Sequence, residues 1–378
     1  MAFKKHTTNS FFGDFLYDTI VPENHFLRRA KEVIDWDRFT FKLLKNYKGR
    51  AEVGRAPYNP SVLLRMLFVS YLYNISERQA EESVNFNLPM KYFVGLGADE
   101  KAPDHSTLTY FKERLFEKGI SSLEEVFNEL LIQARSMGVE FGEIQILDAT
   151  HTVADINIDR DNGRKKKDKE SVDPDAKWGT KHSRKVNDSE GNTYIQKHYF
   201  LGYKTHASIN EKNGIVTSLK VTSGNEYDGK YLQALVKKDK SKNLIPKKRL
   251  DQMARDNQKQ TYTADKGYDD GDNHAFLESM GLGDAIRIRD TRLTKKDKNK
   301  KPWVKLIGSS EYKRGLEVRY KIERKFGESK KHHGLGRARY RGLKRYNVQA
   351  TFTFMVLNLK EIMKITTGVY LKSGSPAI

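Results

Sequence analysis

The sequence predicts a mixed α/β domain, a mixed sheet flanked by helices, preceded by an all-α, helix-turn-helix-like N-terminal region. Three observations predict it. Helical periodicity dominates the first third of the chain; short apolar runs of strand character begin near residue 141 and alternate with helical stretches; and two of those runs end on an aspartate. With 378 residues the chain exceeds the usual single domain. The expected boundaries are 1–140 for the helical region and 141–378 for the sheet domain.

Between Pro60 and about Leu131, apolar residues recur at three and four positions, as in Val62, Leu63, Met66, Leu67, Val69 and Tyr71. Ser76, followed by Glu77 and Gln79, reads as a helix N-cap, and Asp104-His105-Ser106 as a second cap before Thr107 to Leu115. Short helices joined by tight turns suit a module that contacts DNA, and equally a dimerising or structural bundle.

The texture changes around residue 141. Ile144 to Asp148 is a short apolar run without helical period and reads as a buried strand ending on an acid. Tyr199 to Ile209 and Gly214 to Thr222 are strand-like and are separated by the turn Asn210–Gly214, a hairpin signal. Tyr231 to Lys238 reads as a helix, Thr261 to Asp265 as a second strand ending on an acid, Asn273 to Met280 as a helix, Ala285 to Ile288 as a strand, and Leu316 to about Phe326 as a helix. Two stretches, 163–169 and 294–301, are basic and poor in apolar residues, and basic loops are expected near 160–185 and 291–305.

Charge narrows the function. Lys and Arg number 69 against 49 Asp and Glu, a net +20 that implies a polyanionic partner, with nucleic acid the first candidate. No apolar run approaches the roughly 18 residues of a spanning helix, since Val62 to Tyr73 is interrupted by Arg65, and no signal peptide is visible; a cytoplasmic or nucleoid location is expected, with no membrane partner. The absence of cysteine excludes disulfides, thiolate zinc sites and cysteine nucleophiles, so any metal must sit on oxygen or imidazole ligands, which favours Mg²⁺ or Mn²⁺.

Asp148 and Asp265 each follow a strand-like run, and neighbouring strands would place them side by side at one sheet edge. Glu323 supplies a third acid: Arg319, Glu323 and Lys330 are four and seven residues apart and would share a helix face beside Phe326. Three such acids suit phosphodiester chemistry, because two metals about 4 Å apart activate water and stabilise the leaving oxygen in an in-line displacement. Spacing alone does not single them out among 49 acids.

The run Arg319-x3-Glu323-x6-Lys330 resembles the Y-x2-R-x3-E-x6-K signature of DDE transposases from bacterial insertion sequences. Asp148-Ala-Thr resembles their first-acid strand and Ala264-Asp265-Lys-Gly-Tyr268 their second. Phe200-x-Gly-Tyr-Lys-x-His206 and Thr222-x-Gly-Asn225-x-x-Asp228 resemble the strands between. Gly54-Arg-Ala-Pro57, Ser76-x-Arg78 and Pro103-Asp-His-Ser-Thr107 are similar to the helical region of the insertion-sequence-five-like group, and Gly334 to Leu343 with Asn358-Leu-Lys360 to its closing segment. The signature tyrosine is replaced by Leu316.

The resemblance implies an RNase H-like catalytic fold and two Mg²⁺ ions, with Mn²⁺ able to substitute. It implies action on double-stranded DNA: cleavage at terminal inverted repeats, then joining of the freed 3′-hydroxyls to target DNA, with a homodimer or larger assembly at synapsis. Asp148 would bridge both metals, while Asp265 and Glu323 would each hold mainly one. Lys330 would grip phosphate; Arg319 would either do the same or pair with Glu323 along the helix. Arg337, Arg339, Arg341 and Lys344 form a DNA-binding face or a solvated helix end. Trp303 stacks on a flipped base or packs in the core. His151 and His206 are structural before they are catalytic, and Asp228 is a turn or N-cap acid before it is a ligand. Two rivals share these features: a metal-dependent nuclease without strand transfer, and a non-catalytic DNA-binding relic.

Overall fold

The computed structural model describes residues 3, 11–47, 56–117, 121–187, 193–294 and 300–371. Two units emerge, one of Met1–Val139 with Thr351–Ile378 and one of Glu140–Ala350.

The first unit is helical: α1 (Phe11–Ile20), α2 (Phe26–Val33), α3 (Trp36–Leu43), α4 (Pro60–Leu72), α5 (Glu77–Phe86), α6 (Leu88–Val94), α7 (His105–Glu117) and α8 (Ser121–Ser136). Helix α4 is buried along its whole length, which explains why the apolar run there has no polar face. Its Arg65 is buried among apolar neighbours, and its guanidinium donates to the Phe93 and Ser61 carbonyls at 3.1 and 3.2 Å. Trp36 meets Phe68 and Phe93 edge to face at 5.3 Å. Ser76 caps α5 in a reciprocal box with Gln79, and Asp104 accepts from the Ser106 amide where α7 begins.

In the second unit, chain order runs β1 (Ile144–Val153), α9 (Ile158–Lys165), β2 (Lys177–Asn187), β3 (Thr193–Asn210), β4 (Val216–Ser223), α10 (Leu232–Ser241), α11 (Lys247–Arg255), β5 (Thr261–Ala264), α12 (Gly271–Ser279) and β6 (Gly283–Ile286). It continues with α13 (Lys300–Gly308), α14 (Ser310–Val318), α15 (Tyr320–His333) and α16 (Leu343–Thr367). Strand β1 pairs antiparallel with β3, which pairs antiparallel with β4; on its other edge β1 runs parallel to β5, and β5 parallel to β6. An order of β4-β3-β1-β5-β6, three antiparallel strands followed by two parallel ones, is the RNase H-like arrangement. Leu147, Tyr262 and Ala264 from the sheet pack on Leu232, Leu235 and Val236 of α10 and Leu277 of α12.

Four expectations are corrected. Residues 351–378, expected in the sheet domain, group with the helical unit because Phe352 of α16 packs on Phe68 and stacks on Tyr71 of α4. The helix expected from Leu316 to Phe326 is two helices, α14 and α15, meeting at Arg319. The basic stretch 163–169 begins inside α9, whose N-cap Asn157 accepts from the Arg160 amide. The basic stretch 294–301 lies partly outside the described residues, and its end opens α13.

Strand β2 was not expected. It pairs with the first half of β3, residues 193–202, whereas β1 pairs with the second half, 202–210. The result is a two-stranded ribbon continuing past the edge of the sheet. Glycines permit the crowding at its base: a Cβ on Gly179 would run into the Gly224 carbonyl and the Phe200 ring.

Candidate active site

Asp148 and Asp265 meet because β1 and β5 are parallel neighbours. The last register pair is Ile146 with Thr263, and each acid stands two residues beyond it. Asp148 is nearly enclosed and accepts from the Ala149 amide at 2.8 Å. Burial, then the charge of Asp265, push its carboxyl up to about 7. Asp265 opens a 3₁₀ turn, Lys266–Tyr268, and accepts from the Gly267 amide at 2.8 Å.

Glu323 lies in the first turn of α15 and is about half exposed. Arg319 ties it to the strand acids. Its guanidinium bonds the Glu323 carboxylate and stands 3.7 Å from Asp148. The helix salt bridge expected as one role of Arg319 is therefore present. The three acids nonetheless are not drawn into one tight cage: among the described residues, Glu81, Asp104 and His105 of the helical unit form the set of three ligand-bearing side chains lying within 4.8 Å of one another. That set is a helix-start network, in which His105 donates its amide to Glu81 at 2.9 Å and approaches Arg78.

Asp228 was expected as a turn or capping acid. It does open a 3₁₀ turn, Asp228–Tyr231. It accepts from the Lys204 ammonium at 2.9 Å. Burial raises its pKa, and Asp265 adds to the rise; Asp228 in turn contributes to the rise at Asp148. It is a neighbour of the two strand acids, one that sequence reasoning discounted. Its signal was the Thr222-x-Gly-Asn225-x-x-Asp228 run, which places it just after β4. The Tyr268 hydroxyl is fully buried without a hydrogen-bond partner, and the charges of Asp148, Asp228 and Asp265 all bear on it.

The donor set fits hard divalent cations. It offers carboxylate oxygens only, and the repulsion from Asp265, which adds to the effect of burial at Asp148, is what a cation between the two would relieve. His206 is unsuited to proton transfer. It is wholly buried, its Nε2 is 2.9 Å from the Thr222 hydroxyl, and desolvation lowers its pKa to about 3. His151 packs its ring against Phe200.

Among the expected DNA contacts, Lys330 lies in the last turn of α15, where burial and the nearby charge of Lys181 lower its pKa to about 8. Arg337 is exposed and bonded to Asp155 at 2.7 Å, and Arg341 reaches the Asp155 carbonyl at 3.4 Å. Lys344 is exposed and Arg339 half-buried. Around Arg337 the chain runs alongside the end of β1, with Val153 donating to the Gly336 carbonyl and Ala338 to the Val153 carbonyl, whereas Lys344 lies at a helix end, in the first turn of α16. Trp303 is packed between His274, at 4.8 Å, and Arg292, at 4.6 Å. In the second unit the tryptophan open to solvent is Trp178 of β2. Leu316, at the signature tyrosine position, packs in a small cluster with Ala285, Ile288 and Tyr312.

Two family models match the chain: Transposase domain (DUF772) over residues 15–114, and Transposase DDE domain over residues 141–359. Among solved structures, the chain is similar to a piggyBac transposase synaptic complex with hairpin DNA, at 8% identity and a TM-score of 0.39, covering 92% of this chain and 74% of that one. A Mos1 transposase paired-end complex with the left transposon end matches at 9% identity and a TM-score of 0.19, over 85% of this chain and 91% of that one. A Mos1 mariner paired-end complex with Mn matches at 10% and 0.21, over 94% and 92%.

Proposed function

We propose that this chain, which belongs to the transposase DDE domain family, binds the terminal inverted repeats of a mobile element, hydrolyses the phosphodiester at each end and joins the freed 3′-hydroxyls to target DNA. The observation that carries this reading is the placement of Asp148 and Asp265 at equivalent positions on parallel strands, with Arg319 connecting Asp148 to Glu323.

Asp148, Asp265 and Glu323 would hold two divalent ions, Mg²⁺ or in its place Mn²⁺. When bound, such ions activate a water nucleophile and stabilise the leaving oxygen. Asp148 feels the charge of Asp265 and is connected through Arg319 to Glu323, and it would be the shared acid. With its carboxyl raised to about 7, it would have to be deprotonated to hold an ion. Arg319 holds Glu323 toward Asp148, so that α15 and the sheet edge act together. Lys330, about two turns further along the helix than Glu323, presents its ammonium to a backbone phosphate. Arg337, Arg339, Arg341 and Lys344 add positive charge for the flanking duplex.

In hydrolysis, water oxygen bonds to phosphorus and the 3′-oxygen leaves; in joining, that 3′-oxygen attacks a target phosphorus and a target 3′-oxygen leaves. Both steps are the same displacement, so a single set of acids serves. A homodimer or larger assembly would bring two ends together, in the cytoplasm at the nucleoid.

The test is Asp148→Asn. Repeat-end cleavage should disappear from a gel assay with labelled duplex and Mg²⁺, while affinity for that duplex stays within a few-fold. Retained cleavage would remove Asp148 from the mechanism.

A further inference from the structure

The β2–β3 ribbon has features that the core of the fold does not require. Its strands, 177–187 and 193–201, carry Lys177, Lys181, Arg184, Lys185 and Lys197 and no acidic residue. Large hydrophobic side chains stand open to solvent on it: Trp178, at 52% exposure, and Tyr199, at 59%, with Ile195 also open. Tyr199 pairs with Thr180, two residues from Trp178, so the two aromatics share a face as diagonal neighbours. Exposed aromatics interleaved with cations form a platform on which bases stack while phosphates are held.

The pairing register slips between Thr180 and His182, leaving Lys181 as the extra residue of a β-bulge. Bulges of this kind re-aim a side chain and recur beside active sites. This one brings the Lys181 charge to bear on Lys330 of α15, the same helix that carries Glu323. Among the described residues, no carboxylate pairs with either lysine. Two cations whose charges act on each other repel, and an anion between them converts that repulsion into attraction.

We infer that bulged Lys181 and Lys330 together grip one backbone phosphate of the transposon end, and that the Trp178–Tyr199 face of the ribbon covers unpaired bases beside it. The inference rests on the transposase reading and assigns the ribbon as the element that holds the DNA end. The base of the ribbon is held rigidly by the close approach of Gly179, Gly202 and Gly224 to neighbouring strands, so the platform keeps a fixed place relative to the acids of its own unit.

The test uses the full chain and a fluorescein-labelled duplex carrying the inverted repeat that brackets the reading frame, made once flush and once with unpaired terminal nucleotides. An unrelated duplex serves as reference. By anisotropy, Trp178→Ala with Tyr199→Ala should weaken binding of the unpaired-end duplex about tenfold and of the flush duplex far less. Lys181→Glu should weaken both and reduce the slope of log affinity against log salt by about 0.9, one phosphate; Lys181→Arg should restore it. Melting temperatures equal to wild type would establish that the exposed positions tolerate the changes. A wild type that prefers the repeat over the reference, with variants that bind as tightly and with the same slope, overturns the inference alone. A wild type without that preference overturns the transposase reading and the inference with it.

Discussion

Asp148→Asn should abolish cleavage and, without metal, make the protein more stable. The carboxyl titrates at about 7 against an ordinary value of 3.8. A folded pKa above the unfolded one means that the native state holds the extra proton between about pH 4 and pH 7. Stability falls as pH rises through that window, and the whole penalty is present above it. About three pH units at 1.36 kcal/mol each set a ceiling near 4 kcal/mol. Part of that is repulsion shared with Asp265, and the side chain keeps 18% exposure, so about half, roughly 2 kcal/mol, is the expected gain. Asparagine keeps the acceptor for the Ala149 amide, so little is lost in return. For a unit of some two hundred residues the gain is about 4–8 °C in melting temperature. The assay is thermal unfolding of wild type and variant at pH 8 in a chelator, repeated at pH 4, where the difference should vanish. Added Mg²⁺ should raise the wild-type transition and leave the variant nearly unmoved. A variant that melts at or below wild type at pH 8 without metal would refute the electrostatic account of this site.

Other substitutions separate chemistry from stability. Glu323→Gln should also abolish cleavage but shift stability by less than about 0.5 kcal/mol, since its carboxylate is half exposed and its pair with Arg319 is an ordinary helix salt bridge; denaturant unfolding checks this. Arg65→Ala should destabilise the helical unit by about 3 kcal/mol, because the Phe93 carbonyl loses its buried donor and a cavity opens; a guanidinium chloride midpoint reads it. Tyr268→Phe should leave cleavage intact and stabilise by about 1 kcal/mol, because it removes a buried hydroxyl that has no partner; a variant less stable than wild type would mean the hydroxyl is satisfied.

The sequence made the strand acids readable because each closes a short apolar run, and burial of both faces of β1 and β5 is what erases helical period there. Glu323 was different: nothing in its spacing separates it from other helix glutamates, and the signature around it was required. The ribbon strand β2 escaped notice because it is exposed and basic, so neither alternation nor an apolar run marks it. Helix α16 escaped for the opposite reason, its residues 351–359 being buried on every side and so showing no stripe. Trp303 and Trp178 look equivalent in sequence beside basic residues. Only packing tells them apart, since α13 folds the first against His274 and Arg292 while β2 leaves the second open. Asp228 was discounted because turn acids are common; its place beside Asp265 depends on the crossing of loops more than thirty residues apart in sequence.

The central claim is strand transfer by the Asp148–Asp265–Glu323 centre. The most direct measurement incubates wild-type protein with a labelled, precleaved inverted-repeat end and a supercoiled plasmid in Mg²⁺, then follows the label on a denaturing gel. Covalent transfer of label to the plasmid, lost in Asp148→Asn, Asp265→Asn and Glu323→Gln alike, is the predicted result. Plasmid nicking without transfer of label would contradict it and make the protein a nuclease.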